Sequence, residues 1–252
     1  MAEQVEPIPA GTLIVTRSQA GAAPEILLLE RSTALVFAAG ALVFPGGRVD
    51  VGDRVIGAEI APALEPDDSA ARVAAIREAI EEAGVPVGMD PLPDAATISA
   101  MRAELADGVP FARLLNTYGL SLDLDRLAPY ARWMPRWGHR RFDTRFYVAE
   151  IEGDGGATAD GGEITRAMWM TAEAALDGAA AKQHRLVFPT LCNLQRLAQH
   201  VAPAILPDLG STDSLAIMSP WIEERGGEKW ICIPEGSGYP QTAHLLSDIW
   251  NG

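Results

Sequence analysis

Cysteine is scarce in this chain: Cys192 and Cys232 are the only two in 252 residues. That excludes a disulfide-stapled secreted scaffold and fits a reduced cytoplasmic protein whose two thiols are free or buried. Positive charge is scarce too. Twenty Lys and Arg stand against 34 Asp and Glu, a net −14, so there is no broad field to attract nucleic-acid phosphates, and no nucleic acid partner is expected. An acidic total does not exclude a small anionic substrate, because a bound divalent cation reverses the local field. No uninterrupted apolar stretch reaches membrane-spanning length, and no basic leader precedes an apolar run at the N-terminus, so neither membrane insertion nor export is expected. What is present is 48% hydrophobic residues, ample for the core of one large domain. With 21% charged residues, 24 Gly and 18 Pro, the chain is neither disordered nor collagen-like as a whole. It holds no convincing internal repeat.

Gly11 to Arg17 and Glu25 to Arg31 are rich in Leu, Ile and Val and predict two strands, with Ala41 to Phe44 a third that ends at Pro45-Gly46-Gly47. Arg48 to Pro66 lacks a sustained period and contains Gly52, Gly57, Pro62 and Pro66, which predicts a loop with at most one helical turn. Asp67, Asp68 and Ser69 then offer N-caps for a helix running to about Ala83, where Gly84 supplies a left-handed end. Between Pro91 and Tyr130, helices over Ala95 to Ala106 and Phe111 to Tyr118 predict a small helical insertion. Strands follow at Thr144 to Ile151 and Ala167 to Met170, then a helix after Thr171 and another over Pro189 to His200. Leu215 to Met218 and Lys229 to Ile233 predict strands in the C-terminal tail.

The helix before Gly84 carries the chemistry. At about 100° per residue, Glu78, Glu81 and Glu82 share an arc of about 100°, while Val73, Ile76, Ile80 and Ala83 lie opposite and suit packing on a sheet. Three like charges on adjacent turns destabilise an isolated helix by a few tenths of a kcal/mol per pair. Mg²⁺ or Mn²⁺ would compensate, since hard cations take oxygen ligands and retain waters that bridge phosphates. Arg77 flanks Glu81 and can orient it. A solvated acidic face is the plain alternative. His139, Arg140, Arg141 and Arg145 form the densest cationic cluster and suit either phosphate oxygens or pairing with acids such as Asp143. Trp133, Trp137 and Phe142 lie near that cluster and read first as packing residues. Arg31 and Phe44, at strand ends near the Gly46-Gly47 turn, have ordinary structural explanations, and His184, His200 and His244 lack zinc spacing.

The run Arg77 to Val85, REAIEEAGV, resembles the second half of the Nudix box, G-x5-E-x7-R-E-U-x-E-E-x-G-U, with Gly47 of FPGG matching its opening Gly. Two departures mark the first half. Asp53 stands where the family usually has Glu, and 30 positions separate Gly47 from Arg77 where the pattern has 14, an insertion of 16 residues. With FPGGRVD, RRFDTRF and FPTLCNLQRLA, the chain is similar to the Nudix subgroup containing mammalian peroxisomal coenzyme A diphosphatases, over roughly residues 11 to 200.

The resemblance implies an α/β fold, an α/β/α sandwich around a mixed sheet, with a Nudix domain over 1–200, a helical insertion at about 91–130 and a C-terminal extension over 201–252. It implies metal-dependent hydrolysis of a phosphoanhydride in a nucleoside diphosphate linked to another moiety, with Mg²⁺ or Mn²⁺ held by Glu78, Glu81 and Glu82. Glu78 or Glu81 is the base for the attacking water, or Glu163 from outside the box; Arg77 belongs to the catalytic set. Gly46, Gly47, Arg141 and Arg145 are assigned to the substrate. Coenzyme A and acyl-coenzyme A are substrates to test, although the short coenzyme A signature of some bacterial relatives is not evident over Glu30 to Gly40. Trp250-Asn251-Gly252 is unlike a peroxisomal tripeptide, so the expected location is cytoplasmic. The alternative function is a non-catalytic nucleotide-sensing or protein-interaction module. A homodimer is compatible with the sequence, though no residue argues for one.

Overall fold

The computed structural model describes residues 6–18, 21–35, 38–136, 141–153, 155–199 and 215–249. In chain order its elements are β1 (Ile8–Arg17), β2 (Glu25–Arg31), β3 (Ala41–Val43), β4 (Gly46–Arg48), α1 (Val51–Ile60), α2 (Pro66–Ala83), β5 (Met89–Asp90), α3 (Ala95–Ala106), α4 (Phe111–Tyr118), β6 (Ser121–Leu122), β7 (Ala128–Trp133) and β8 (Phe142–Ile151). There follow β9 (Ile164–Thr171), α5 (Ala172–Ala180), β10 (Arg185–Leu186), α6 (Phe188–Leu197), β11 (Ile217–Met218), β12 (Trp221–Arg225), β13 (Glu228–Cys232), β14 (Ala243–Leu245) and α7 (Leu246–Ile249).

Alternation along the central strands sets the layers. Leu13 and Val15 of β1, with Leu27 and Leu29 of β2, face one core together with Val73, Ile76 and Ile80 of α2 and Met101, Phe111 and Leu114 of the insertion. Ile14, Ile26 and Leu28 face the opposite core with Ala175 of α5, Leu194 of α6, and Met218, Ile231 and Tyr239 from the C-terminal segment. A strand buried on both faces lies inside a sandwich. The mixed sheet runs β10-β3-β2-β1-β8-β7-β11, with β4 also paired to β1 and β9 to β2. β1 and β8 are parallel over ten residues, and β4 is antiparallel to β1. This is the expected α/β fold.

Three local readings are corrected. The segment expected to be a loop contains the ten-residue helix α1. Gly57 belongs to helix packing, since a Cβ there would lie 2.9 Å from the Ala70 amide nitrogen of α2. The N-cap of α2 is Glu65, whose carboxylate accepts the Asp67 and Asp68 amides, with Pro66 at the first helical position. The end of the expected helical insertion is strand: Ala128–Trp133 pairs antiparallel with β8.

One row of residues seats α2. Gly47, Gly11 and Arg145 are neighbours across β4, β1 and β8. A Cβ on Gly11 would stand 2.0 Å from the Ala71 carbonyl oxygen, so only glycine lets α2 cross the sheet this closely. Glu78 then lies over Gly47 on one flank, and Glu65 and Asp67 lie toward Arg145 on the other.

Candidate functional site

The site grows from Arg77, which is buried. Its Nε and Nη2 donate to the two oxygens of Asp53 at 3.1 and 2.9 Å, and Nη2 also donates to the Arg48 carbonyl at 3.1 Å. Nη1 donates to Glu78 Oε1 at 2.8 Å and Glu81 Oε1 at 3.1 Å. Burial alone would ease the proton off Arg77; the Asp53 bonds and the charges of Glu78, Asp53 and Glu81 outweigh it and hold the guanidinium charged. Asp53 Oδ2 also accepts the Asp50 amide at 2.9 Å. Its oxygens therefore orient Arg77 and fix the start of α1, and the fork reconnects across the 16-residue insertion what the sequence separates.

The two glycines of FPGG seat the carboxylates. Glu82 Oε2 accepts the Gly46 amide at 2.9 Å, and a Cβ on Gly47 would lie 2.3 Å from Glu78 Oε1. The Gly46 amide is thus committed to Glu82, and Gly47 gives room to Glu78. Burial raises the Glu78 carboxyl to about 7, opposed by Arg77 and reinforced by Glu81. Burial raises Glu82 to about 8; the Glu78 charge adds to it, the Gly46 amide and Arg31 oppose it, and Glu163 adds further. Glu81 is more open, its side chain 34% exposed.

Asp53, Glu78 and Glu81 thus share a single guanidinium, with buried Glu82 beside them. The donors are all oxygen and carry more negative than positive charge, which fits a hard divalent cation. Among the described residues no three His, Cys, Asp or Glu side chains are already gathered for a metal ion. Glu78 and Glu81 each give one oxygen to Arg77 and Glu82 gives one to Gly46, so joint ligation requires the three side chains to converge.

The cationic residues are placed differently. Arg145 is 1% exposed, with Nη2 3.9 Å from Glu65 and 4.0 Å from Asp67, and Nη1 3.6 Å from Asp143. It lies by the N-terminal end of α2, and Asp67 is roughly 16 Å along the helix from Glu78. There it belongs to an ion cluster beneath that end of the helix. Arg141 donates to the Pro135 carbonyl at 3.0 Å. Trp137, His139 and Arg140 lie outside the described residues. Trp133 is core, donating from Nε1 to Tyr239 Oη at 3.0 Å. Sequence reasoning missed the approach of Arg31 to Glu163, 3.8 Å apart near Glu82, and missed Arg102 of α3, which donates to the Glu81 carbonyl.

Residues 58–197 match the family model of the NUDT19 Nudix domain. The chain belongs to the Nudix hydrolases. Within this family it is 28% identical over 175 residues to putative nudix hydrolase 7 of Caenorhabditis elegans, across 69% of this chain and 56% of that relative. The chain therefore spans a little over half of that curated relative. A solved Nudix hydrolase from Alicyclobacillus acidocaldarius superposes with a TM-score of 0.71 at 27% identity, covering 81% of this chain and 96% of that one. The MutT protein of Methanosarcina mazei Go1 gives 0.44 at 14% identity over 77% of this chain and 95% of that one. This Nudix hydrolase contains, among its described residues, no helix long and apolar enough to cross a membrane.

Proposed function

We propose that this Nudix hydrolase cleaves the phosphoanhydride of a nucleoside diphosphate derivative, with Mg²⁺ or Mn²⁺ held by Glu78, Glu81 and Glu82. The observation that carries this reading is the half-buried Glu78 and buried Glu82, set against Gly47 and Gly46, with Asp53, Glu78 and Glu81 sharing the one guanidinium of Arg77. A bound divalent cation supplies neutralisation of diphosphate oxygens and acidifies a water. Arg77 holds Glu78 and Glu81 through one nitrogen and is itself fixed by Asp53. Glu81, the more exposed of those two, is assigned to take the proton of the attacking water, with Glu78 as the alternative; no covalent intermediate is required. Glu163, beside Arg31 at the rim, is the base to test if neither serves.

Coenzyme A and acyl-coenzyme A are the first substrates to test, supported by the NUDT19-type match and the subgroup motifs. The same proposal takes 1–200 as the Nudix domain and 201–252 as an extension packed on it, supported by Met218, Ile231 and Tyr239 sharing a core with α6. A cytoplasmic location is supported by the two free, buried cysteines. The deciding experiment screens purified protein with Mg²⁺ or Mn²⁺ against coenzyme A, acyl-coenzyme A, ADP-ribose, dinucleoside polyphosphates, NADH and nucleoside triphosphates. Glu82→Gln is expected to lower turnover of the preferred substrate about 10²–10³-fold with the fold retained, of the order seen when one charge-stabilising group is removed. No cleavage by the wild type, together with a nucleotide-dependent rise in melting temperature, would replace the enzyme reading with the sensor reading.

A further inference from the structure

The three carboxylates occupy the end of a helix that tolerates them least, because the macrodipole is negative at its C-terminus. No basic residue lies in the last turn of α2 to offset this. The compensating cation comes from the insertion. Arg102 of α3 donates from Nε and Nη2 to the Glu81 carbonyl at 3.2 and 3.1 Å, and from Nη2 to the Glu82 carbonyl at 3.4 Å. Its Nη1 donates to Thr158 Oγ1 at 2.8 Å.

Every carbonyl in the final turn is thereby satisfied. The Ile80 oxygen accepts the Gly84 amide and the Ala83 oxygen accepts the Thr158 amide, both at 2.9 Å; Arg102 serves the two between. Gly84 is favoured by its φ of +67°, and a Cβ there would stand 3.2 Å from Arg102 Nη1. Thr158 opens the segment leading to Glu163, in which Asp160 Oδ1 accepts the Gly162 and Ile164 amides. One guanidinium thus ties α3, the carboxylate-bearing turn and the approach to Glu163.

We propose that Arg102 is a positioning residue that holds the last turn of α2 in the conformation needed for cation binding, making the helical insertion part of the site. This rests on the metal-dependent reading above. Arg102 bonds the backbone of Glu81 and Glu82, so it acts through the helix end and not by touching the substrate.

The test measures Mn²⁺ binding to the full-length, substrate-free protein by electron paramagnetic resonance, together with hydrogen exchange of the Gly84, Val85 and Thr158 amides. Arg102→Ala is expected to weaken Mn²⁺ binding about 10-fold, the lower end for loss of a group that orients metal ligands, and to speed exchange at those amides. Turnover at saturating Mn²⁺ should stay within about threefold of wild type, the expected signature of a residue that acts on cation binding. Arg102→Lys keeps the charge without the planar fork and should recover only a minor part of the loss. Arg113→Ala, an exposed change on α4, should alter neither readout. Unchanged Mn²⁺ affinity and exchange in folded Arg102→Ala would overturn the proposal; so would full recovery by lysine, which would reduce the role to charge, or an equal loss in Arg113→Ala. If Arg102→Ala fails to fold, Arg102→Lys carries both measurements. Absence of Mn²⁺ binding by the wild type would overturn the metal reading itself, whereas faster exchange in the variant would still support the hold on α2.

Discussion

The two ends of α2 carry the same kind of side chain in opposite circumstances. At the N-terminal end Glu65, Asp67 and Asp68 meet the positive end of the helix, and each has a cation or amide beside it: Arg54 lies 2.5 Å from Asp67, and Arg72 lies 2.9 Å from Asp68. The Arg54 hydrogen bond, against some burial, holds the Asp67 carboxyl below its ordinary value. At the other end Glu78 and Glu82 face the negative pole, and burial pushes both upward. Acids that stabilise the fold and acids retained at a cost to it are distinguished by the sign of that shift.

The largest way to test the contrast is to damage the satisfied end alone. Arg72→Ala removes the ion pair of buried Asp68, which keeps the Tyr147 hydroxyl, and takes the Arg72 donor from the Leu124 and Leu127 carbonyls. A loss of about 3–5 kcal/mol in urea unfolding is expected, with Mn²⁺ affinity of the folded fraction unchanged. A change in Mn²⁺ affinity would show that the two ends are coupled.

pH separates them next. Glu78 and Glu82 have folded values above the unfolded value, so the metal-free protein binds more protons folded than unfolded between about 4.5 and 8, and its stability should fall as pH rises through that window. Metal-free Glu82→Gln should therefore melt several degrees above wild type at pH 8.5, with the gap narrowing toward pH 5. Asp67 runs the other way: its contribution is present above its unfolded value and is lost as pH falls through the lowered folded one. A metal-free wild type that gains stability from pH 5 to 8.5, with no advantage for Glu82→Gln, would erase the distinction. The smallest effect belongs to the cap: Glu65→Ala should cost about 1 kcal/mol in the same unfolding assay, and no change would mean that water replaces it.

The active end of α2 was legible because its signal is local. REAIEEAGV specifies both the helical spacing of the acids and the left-handed stop at Gly84. The corresponding strands β1, β2, β8 and β9 and helices α3 to α6 announce themselves by periodicity and breakers in the same way. What escaped depends on residues far apart. Gly52 and Gly57 look like loop breakers until α1 is seen packed on α2, and Ala128–Trp133 is a strand because β8 lies beside it. The surroundings of Arg145 are of the same kind: pairing with Gly11 sets it beneath the N-terminal end of α2, among Glu65, Asp67 and Asp143. Arg102 left only an indirect trace, a helix ending in acids with no base in its last turn.

The Asp53 to Arg77 fork has one more consequence. It holds the two halves of the motif together through space, so the covalent link between α1 and α2 is not what keeps them in register. The exposed Pro62–Ala63 connection is then a joint where the backbone can be cut or lengthened while the carboxylates stay in place. A segment accommodated there would lie by the N-terminal end of α2, away from the carboxylates at its other end.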